Sequence, residues 1–194
     1  GWSVKVAFLG DTARQPTDAA WALAQAREAG VAIEPGLPST LPSADLVLDA
    51  GLGLGAHRAP EGAIAQAIAQ INQQRGVVLS IDLPSGLCGD RGTVLGAEAV
   101  RASHTLSLLS LKPGLFTAQG RDHAGRVWLH RLGVPPGSAT AWLVGPPDVP
   151  RRQHGQHKGS FGDVLVLGGA RGMGGAALLA ARAALGAGAG VEEG

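Results

Sequence analysis

The feature that most constrains the fold of this chain is an alternation of short, β-rich apolar segments with longer helical ones. Residues 4–9, 45–50 and 77–81 (VKVAFL, DLVLDA and VVLSI) have the length and composition of buried strands. Between them, the spacing of apolar residues predicts helices over residues 17–28 and 60–74. Alternation of this kind is typical of βαβ units, so the sequence predicts an α/β fold with a mostly parallel sheet.

Capping residues and apolar spacing support the two helices. Thr17 is predicted as the N-cap of the first helix, and Gly30 is predicted at the position just past its end. The second helix has an apolar face with the i, i+3, i+4, i+7 spacing. This face consists of Ile64, Ala67, Ile68 and Ile71. Two further strands are predicted at residues 105–111 and 126–132.

Composition excludes several classes of function. The formal charge is only +1 and 16% of the residues are charged, so no basic field predicts binding to nucleic acid. No apolar run approaches the roughly 20 residues that span a bilayer. The single cysteine, Cys88, cannot form an internal disulfide, which favours a reducing compartment and hence the cytoplasm.

Two predicted strands end in an aspartate that is followed by a loop rich in glycine or proline. Asp49 precedes the Gly-Leu-Gly-Leu-Gly run at residues 51–55, and Asp82 precedes Pro84 and Ser85. Ligands of open parallel sheets bind beyond the carboxyl ends of the strands. Both aspartates are therefore candidate site residues.

Each of these motifs also has an ordinary structural interpretation. The glycines let backbone N–H groups approach a phosphate, or they form a flexible turn that Asp49 caps. Asp82 and Ser85 offer oxygen ligands that suit a hard cation, and Asp82 is also a candidate general acid or base. Alternatively, Asp82 hydrogen-bonds its own turn. The residues alone leave these alternatives open.

Charged loop residues are weaker candidates. His57 and Arg58 follow the first glycine loop, where they either clamp an anionic group or remain solvated loop charges. His154 and His157 are three residues apart with no nearby cysteine or acid, which makes a poor zinc site.

The last part of the chain repeats the strand–loop–helix pattern. A strand is predicted at residues 163–167, a glycine-rich loop at 168–175 and a helix at 175–185. Glycines before a helix N-terminus are a common anion site, although they also allow close packing of the helix on the strand. The loop lacks the Lys-Ser/Thr pair of a P-loop.

Together these motifs resemble the bifunctional NAD(P)H-hydrate repair enzymes of the YjeF family. The segments DLVLDAGLGLG, IDLPSGLCGDRGTVLG, LKPGL and GRVWLHRLGVP are similar to its epimerase domain. HKGSFGDVLVLGGARGMGGAALLAARAALGAGAG is similar to the opening of its ADP-dependent dehydratase domain. Residues 1 to about 40 resemble the family only in topology.

The resemblance implies a domain division and a fold for each part. Residues 1–135 would be an epimerase domain without its N-terminal part, with a three-layer, Rossmann-like, mostly parallel sheet. Residues 136–158 would be a Pro/Gly linker, and residues 159–194 the first strand and helix of a truncated, ribokinase-like dehydratase domain.

The resemblance also implies a repair function. Hydration damages the nicotinamide ring of NADH and NADPH and gives R and S hydrates. The epimerase part interconverts these epimers, and the dehydratase part uses ADP or ATP to return the S form to the intact cofactor. The implied substrate is a small molecule, hydrated NADH or NADPH, with a potassium ion (K+) in the epimerase site. Neither nucleic acid nor membrane is an expected partner, and a homo-oligomer is expected for the complete protein.

Matched residue by residue, the resemblance assigns roles to specific positions. Asp49 and Ser85 would be oxygen ligands of the potassium ion, and Asp82 would contact the substrate and serve as the candidate catalytic residue. Ala176 matches a substrate contact in the dehydratase part. The loop over the hydrated dinucleotide would be formed by Gly53, Leu54, Gly55, Ala56, His57, Arg58 and Ala59.

The sequence also departs from the family pattern. The family's Asn-Asn-Gly-Gly-Asp-Gly phosphate loop belongs before residue 1, and Cys88 stands where the family usually has Asp. Leu52 and Leu54 replace the more usual Phe and Thr. The expectation is therefore a fragment with little or no activity alone. Two alternatives remain: an epimerase-like binding module without catalysis, and another nucleotide enzyme of the ribokinase-like kind.

Overall fold

The computed structural model describes residues 3–146, 148, 153–156, 158–160 and 162–189, which divide into two compact units, Gly1–Ser138 and Ala139–Gly194. The strands of the described residues are β1 (Lys5–Phe8), β2 (Ala32–Pro35), β3 (Leu46–Asp49), β4 (Val77–Ile81), β5 (His104–Leu108) and β6 (Arg126–His130). Their α-helices are α1 (Thr17–Glu28), α2 (Gly62–Asn72), α3 (Gly120–His123) and α4 (Gly175–Ala187). Short 3-10 turns occupy Thr12–Arg14, Pro113–Leu115 and Lys158–Ser160.

Every pair of neighbouring strands among the described residues is parallel. β1 pairs with β2 in a two-stranded sheet, and β3, β4, β5 and β6 form a four-stranded sheet in chain order. The predicted α/β class with parallel pairing is therefore confirmed.

The first two helices form where the sequence predicts them. α1 has the predicted bounds, but Thr17 is its first helical residue and Pro16, rather than Thr17, is the N-cap. Gly30 has a φ of 77° and donates its N–H to the carbonyl of Arg27 at 3.0 Å, which confirms its place past the helix end. α2 begins two residues later and ends two residues earlier than predicted.

The core of the first unit lies on one face of the four-stranded sheet. The predicted apolar face of α2 is buried through Ala67, Ile68 and Ile71, while Ile64 packs at its margin. The first cluster consists of Ile68, Ile71, Val78, Val100 and Ala102. A second cluster consists of Leu83, Leu87, Ala99, Leu115 and Ala124. Both clusters contain residues from segments that follow a strand: α2 follows β3, and the turn with Leu83 and Leu87 follows β4.

The opposite face of this sheet carries exposed apolar side chains. Leu48 of β3 is 56% exposed and Trp128 of β6 is 47% exposed, and Leu46 and Val77 are exposed as well. Arg126 stacks its guanidinium over the Trp128 ring at 4.4 Å from the centroid. α2 therefore covers this sheet on the face that carries Val78, whereas these apolar residues of the opposite face remain accessible.

One predicted strand is wrong, and one observed strand was not predicted. Residues 163–167 are irregular rather than a strand, and Leu167 is 86% exposed. A strand is stable only when its backbone groups find a ladder partner, and no described segment pairs with this one. The helix after it does form, as α4. The sequence analysis also missed β2, a four-residue strand that ends at Pro35. No helix among the described residues is long and apolar enough to cross a membrane.

Replacing Ile68 with alanine tests the core of the first unit. Ile68 lies on α2, is 2% exposed and belongs to the cluster that contains Val78 of β4. We therefore expect the loss of its side chain to lower the free energy of unfolding by about 2–5 kcal/mol. Urea unfolding of the variant measures this change. Leu178→Ala on the exposed side of α4 is the control and should change stability by about 0.5 kcal/mol or less. Equal effects of the two substitutions would contradict this core.

Candidate functional site

The candidate site lies at the carboxyl ends of three adjacent parallel strands. Asp49 is the last residue of β3 and is in register with Ser80 of β4. Asp82 follows β4 directly, and Lys112 follows β5 after a short turn. The predicted location of both aspartates at strand ends is confirmed.

Asp49 is the centre of a buried hydrogen-bond network. Asp49 is only 2% exposed. Oδ2 accepts from the Ser80 hydroxyl at 2.7 Å and from the backbone N–H of Ser85 at 2.8 Å. Oδ1 accepts from the Ser85 hydroxyl at 2.6 Å and, at 3.4 Å, from the N–H of Gly51. Each carboxylate oxygen thus has two donors, which compensates for the burial of the charge.

The glycine-rich loop connects this network to Asp82. Leu52 donates its N–H to the Ser85 hydroxyl at 2.8 Å, and Leu54 donates its N–H to Asp82 Oδ2 at 3.3 Å. A Cβ added at Gly53 would lie 3.2 Å from Asp82 Oδ2, so the loop passes close to this carboxylate. The absence of a side chain at this position lets the backbone approach.

Asp82 occupies a conformation that L-residues seldom adopt. Its φ is 70°, and the N–H of Leu83 bonds the carbonyl of Ile81 at 2.9 Å, which makes Asp82 the centre of a γ-turn. Its carboxylate accepts from the N–H of Leu108 through Oδ1 and from Leu54 through Oδ2. The alternative in which Asp82 merely bonds its own turn is therefore wrong. Unusual φ values of this kind concentrate at functional sites.

A buried lysine completes the site. Lys112 is 5% exposed and forms a salt bridge with Asp82 Oδ1. Its ammonium also donates to the carbonyl of Leu108 at 2.6 Å and to the hydroxyl of Ser107 at 3.3 Å. Sequence reasoning missed this residue. Two signals were present in the sequence: Lys112 is the one charged residue of the LSLLSLKPGL segment, and Ser80 is the one polar residue of VVLSI.

The rest of the predicted substrate loop makes few contacts. Ala56 donates its N–H to the carbonyl of Gly53 at 3.1 Å and so closes a turn. The side chains of His57, Arg58 and Ala59 are exposed. His57 and Arg58 have no hydrogen bond or ion pair with other described residues. Their assignment as substrate contacts stays a prediction.

The second unit contains the remaining candidate site residues, which are Ala176, the glycine loop at 168–175 and the histidine pair. Ala176 lies in the first turn of α4, and a Cβ added at Gly169 would meet the Cα of Gly174 at 3.3 Å. This approach joins two residues of the same loop, and residues 163–167 form no strand on which α4 could pack. The anion-site and packing interpretations of these glycines both stay predictions. His157 lies outside the described residues, so the structure does not describe the His154–His157 pair. Among the described residues there is no group of three His, Cys, Asp or Glu that could hold a metal ion.

The side-chain oxygens of Asp49 and Ser85 are of the type that a hard cation prefers as ligands. Both side chains present oxygen only, and their nearest oxygens are 2.6 Å apart. Ser85 Oγ donates to Asp49 and accepts from Leu52, which leaves it one lone pair. Asp49 Oδ1 has a site occupied only by the long contact from Gly51. These two oxygens are the ones that a cation would use.

The fold and the site together define a class: an α/β protein with a candidate ligand site at the carboxyl ends of parallel strands, built from two aspartates and a glycine loop. Residues 1–114 match the family described as "YjeF-related protein N-terminus". The chain belongs to this family.

Curated relatives agree with this assignment. The chain is 36% identical over 201 residues to the bifunctional NAD(P)H-hydrate repair enzyme Nnr of Vibrio cholerae, covering 99% of the chain and 40% of that protein. It is 36% identical over 163 residues to the protein of the same name from Escherichia coli K12, covering 77% of the chain and 30% of the relative. The bifunctional NAD(P)H-hydrate repair enzyme of Leishmania braziliensis is 38% identical over 173 residues, with coverage of 82% and 31%. The chain spans less than half the length of these relatives.

The importance of Asp49 for the fold can be tested with Asp49→Ala. The substitution leaves the buried N–H of Ser85 and hydroxyl of Ser80 without their acceptor, and each such donor costs about 1–3 kcal/mol. Urea unfolding should show this loss. Asp45→Ala, at an exposed carboxylate just before the same strand, is the control and should leave the midpoint nearly unchanged. A small effect of Asp49→Ala would argue against the buried network.

Gly53→Ala tests the close approach of the loop to Asp82. The new Cβ would require a shift of a few tenths of an ångström at Asp82 Oδ2, so the amide of Leu108, which donates to the same carboxylate, should change its NMR chemical shift. Gly55→Ala is the matched control, since a Cβ there meets nothing within 4 Å. If both variants perturb Leu108 equally, the loop does not lie over Asp82 as described.

Proposed function

We propose that the strand-end site of this chain epimerises the R and S hydrates of NADH and NADPH. The observation that carries the proposal is the arrangement of Asp82: Oδ1 is held by Lys112 and Leu108, while Oδ2 faces the glycine loop with a single, longer hydrogen bond. One oxygen of a fixed carboxylate is therefore available to a ligand under the loop. The relatives named above are repair enzymes for such hydrates, which supports this substrate class.

The proposed chemistry needs one group that takes and returns a proton. In a hydrated nicotinamide ring, the hydroxyl-bearing carbon is bonded to the ring nitrogen. Loss of the hydroxyl proton to Asp82 Oδ2 allows that carbon–nitrogen bond to break, and the nitrogen takes up a proton. Reclosure on the other face reverses these steps and gives the other epimer. A positioned carboxylate typically contributes 10²–10⁴-fold to such proton transfers.

The loop and a cation would bind the anionic part of the dinucleotide. We propose that Asp49 and Ser85 hold a potassium ion, whose positive charge offsets the negative charge of the diphosphate. The residues from Gly53 to Ala59 would lie over the substrate, with the exposed Arg58 available to a phosphate. Asp49 and Ser85 then have two functions, since the same oxygens also tie the loop to the sheet.

The second unit is proposed to be the beginning of an ADP- or ATP-dependent dehydratase domain. We propose the division into an epimerase part over residues 1–135, a linker over 136–158 and a dehydratase part over 159–194. Ala176 would contact substrate in that part. The complete protein is proposed to be a cytoplasmic homo-oligomer that acts as isomerase and lyase, and this chain alone is proposed to be inactive or nearly so.

Asp82→Asn tests the epimerase proposal. The amide keeps the shape of the carboxylate but does not take up a proton, so we expect epimerisation to be abolished. The assay incubates mixed R and S hydrates with the chain, and with a version extended upstream by the N-terminal part of the proposed epimerase domain, and follows the epimers by chromatography. Asp18→Asn, an exposed carboxylate on α1, is the control and should retain full activity.

The outcomes separate the competing functions. Conversion by the extended version alone would support both the epimerase proposal and the inactivity of this chain by itself. No conversion by either version would favour a binding module. A near-normal kcat of Asp82→Asn in an active version would remove Asp82 from the chemistry.

A further inference from the structure

The salt bridge between Lys112 and Asp82 is the most deeply placed charge pair of the described residues. The Lys112 side chain is 6% exposed and that of Asp82 is 19% exposed. A lysine ammonium is almost never buried without a partner, because the loss of hydration is costly. Nothing in the proposed proton transfer requires this lysine, so its placement calls for a separate explanation.

The hydrogen-bond inventory shows what Lys112 can do. Its ammonium has three N–H groups, and these go to Asp82 Oδ1, the carbonyl of Leu108 and the hydroxyl of Ser107. Ser107 is available as an acceptor because its own proton goes to the carbonyl of Ser110 at 2.9 Å. All three protons of Lys112 are therefore used within the protein, and none is left for a ligand.

We propose that Lys112 is a positioning residue that acts through Asp82: it holds Oδ1 and so keeps Oδ2 directed at the glycine loop. This inference rests on the proposed function, because it concerns the residue placed at the reacting atoms. Two donors, Lys112 and the N–H of Leu108, hold Oδ1, whereas among the described residues only the N–H of Leu54 reaches Oδ2. Oδ1 is therefore the oxygen that holds the carboxylate in place, and Oδ2 is the oxygen that remains accessible to a ligand.

Without Lys112 the carboxylate would lose its strongest anchor. The remaining donors are two backbone amides at 3.2 and 3.3 Å, one on each oxygen. Rotation of the side chain about its bonds would then exchange the oxygens or turn them from the loop. A misplacement of about 1 Å can reduce a rate by about 100-fold.

Lys112→Met tests the proposal through catalysis. Methionine retains an unbranched side chain of similar length without the charge. In an active version of the protein, we expect kcat for epimerisation to fall by about 100-fold with a small change in KM, because binding depends on the loop while the chemistry depends on Asp82. Lys5→Met, at an exposed lysine on β1, is the matched control and should leave both constants unchanged.

Amide hydrogen exchange provides a second readout that does not require activity. Leu54 lies on the loop, and among the described residues its N–H is connected to Lys112 by hydrogen bonds through Asp82. We expect its exchange rate to rise several-fold in Lys112→Met, while the N–H of Leu52, which donates to Ser85, stays unchanged. A lysine that only braced its own turn would loosen Leu108 and leave Leu54 as it is. In an Asp82→Asn background, Lys112→Met should have no further effect on Leu54.

Ser107→Ala keeps the experiment decisive if Lys112→Met does not fold. It removes one acceptor of the ammonium but retains the charge, so kcat should fall several-fold and Leu54 exchange should rise less than in Lys112→Met. Unchanged kcat and unchanged Leu54 exchange in a folded variant would overturn the positioning role. Inactivity of the unsubstituted extended protein would instead overturn the proposed function, while the Leu54 measurement would still decide the role of Lys112.

Discussion

The buried carboxylate of Asp49 is the constraint on which the site depends. It lies at the end of β3 and accepts from a hydroxyl on β4 and from both the N–H and the hydroxyl of Ser85. These bonds connect two strands to the turn after β4, and Leu52 connects the glycine loop to the same serine. A charge buried in this way is tolerated only when its oxygens are hydrogen-bonded, and these bonds hold the surrounding backbone in one arrangement.

The arrangement explains why the two aspartates differ in what they can do. Asp49 has donors on both oxygens and is almost fully buried, so it supports the fold and can contribute at most one weakly occupied acceptor site to a cation. Asp82 is more accessible, lies in a γ-turn and has one oxygen with a single long bond. Two carboxylates at the ends of neighbouring strands thus differ in environment: that of Asp49 suits a structural role, and that of Asp82 leaves one oxygen open to a ligand.

The sequence predicted those parts that depend on local patterns. Apolar spacing predicted α2 with its buried face, and the Asp-plus-glycine pattern predicted the positions of Asp49 and Asp82 at strand ends. Pairing could not be predicted in the same way, because it depends on a partner distant in sequence. Residues 163–167 have the composition of a strand but no described segment to pair with, whereas the four residues of β2 carry little signal and pair with β1.

Lys112 shows why a site is harder to predict than a strand end. It is 30 residues from Asp82, and only the parallel pairing of β4 with β5 brings the two together. A lysine in a sequence is most often a solvated surface charge, and its burial follows from the turn that brings its Nζ back to Ser107 and Leu108. The same topology that places Asp49 and Asp82 at the strand ends also supplies the lysine that forms a salt bridge with Asp82. The candidate site therefore draws on three successive strand ends, each of which contributes one charged group.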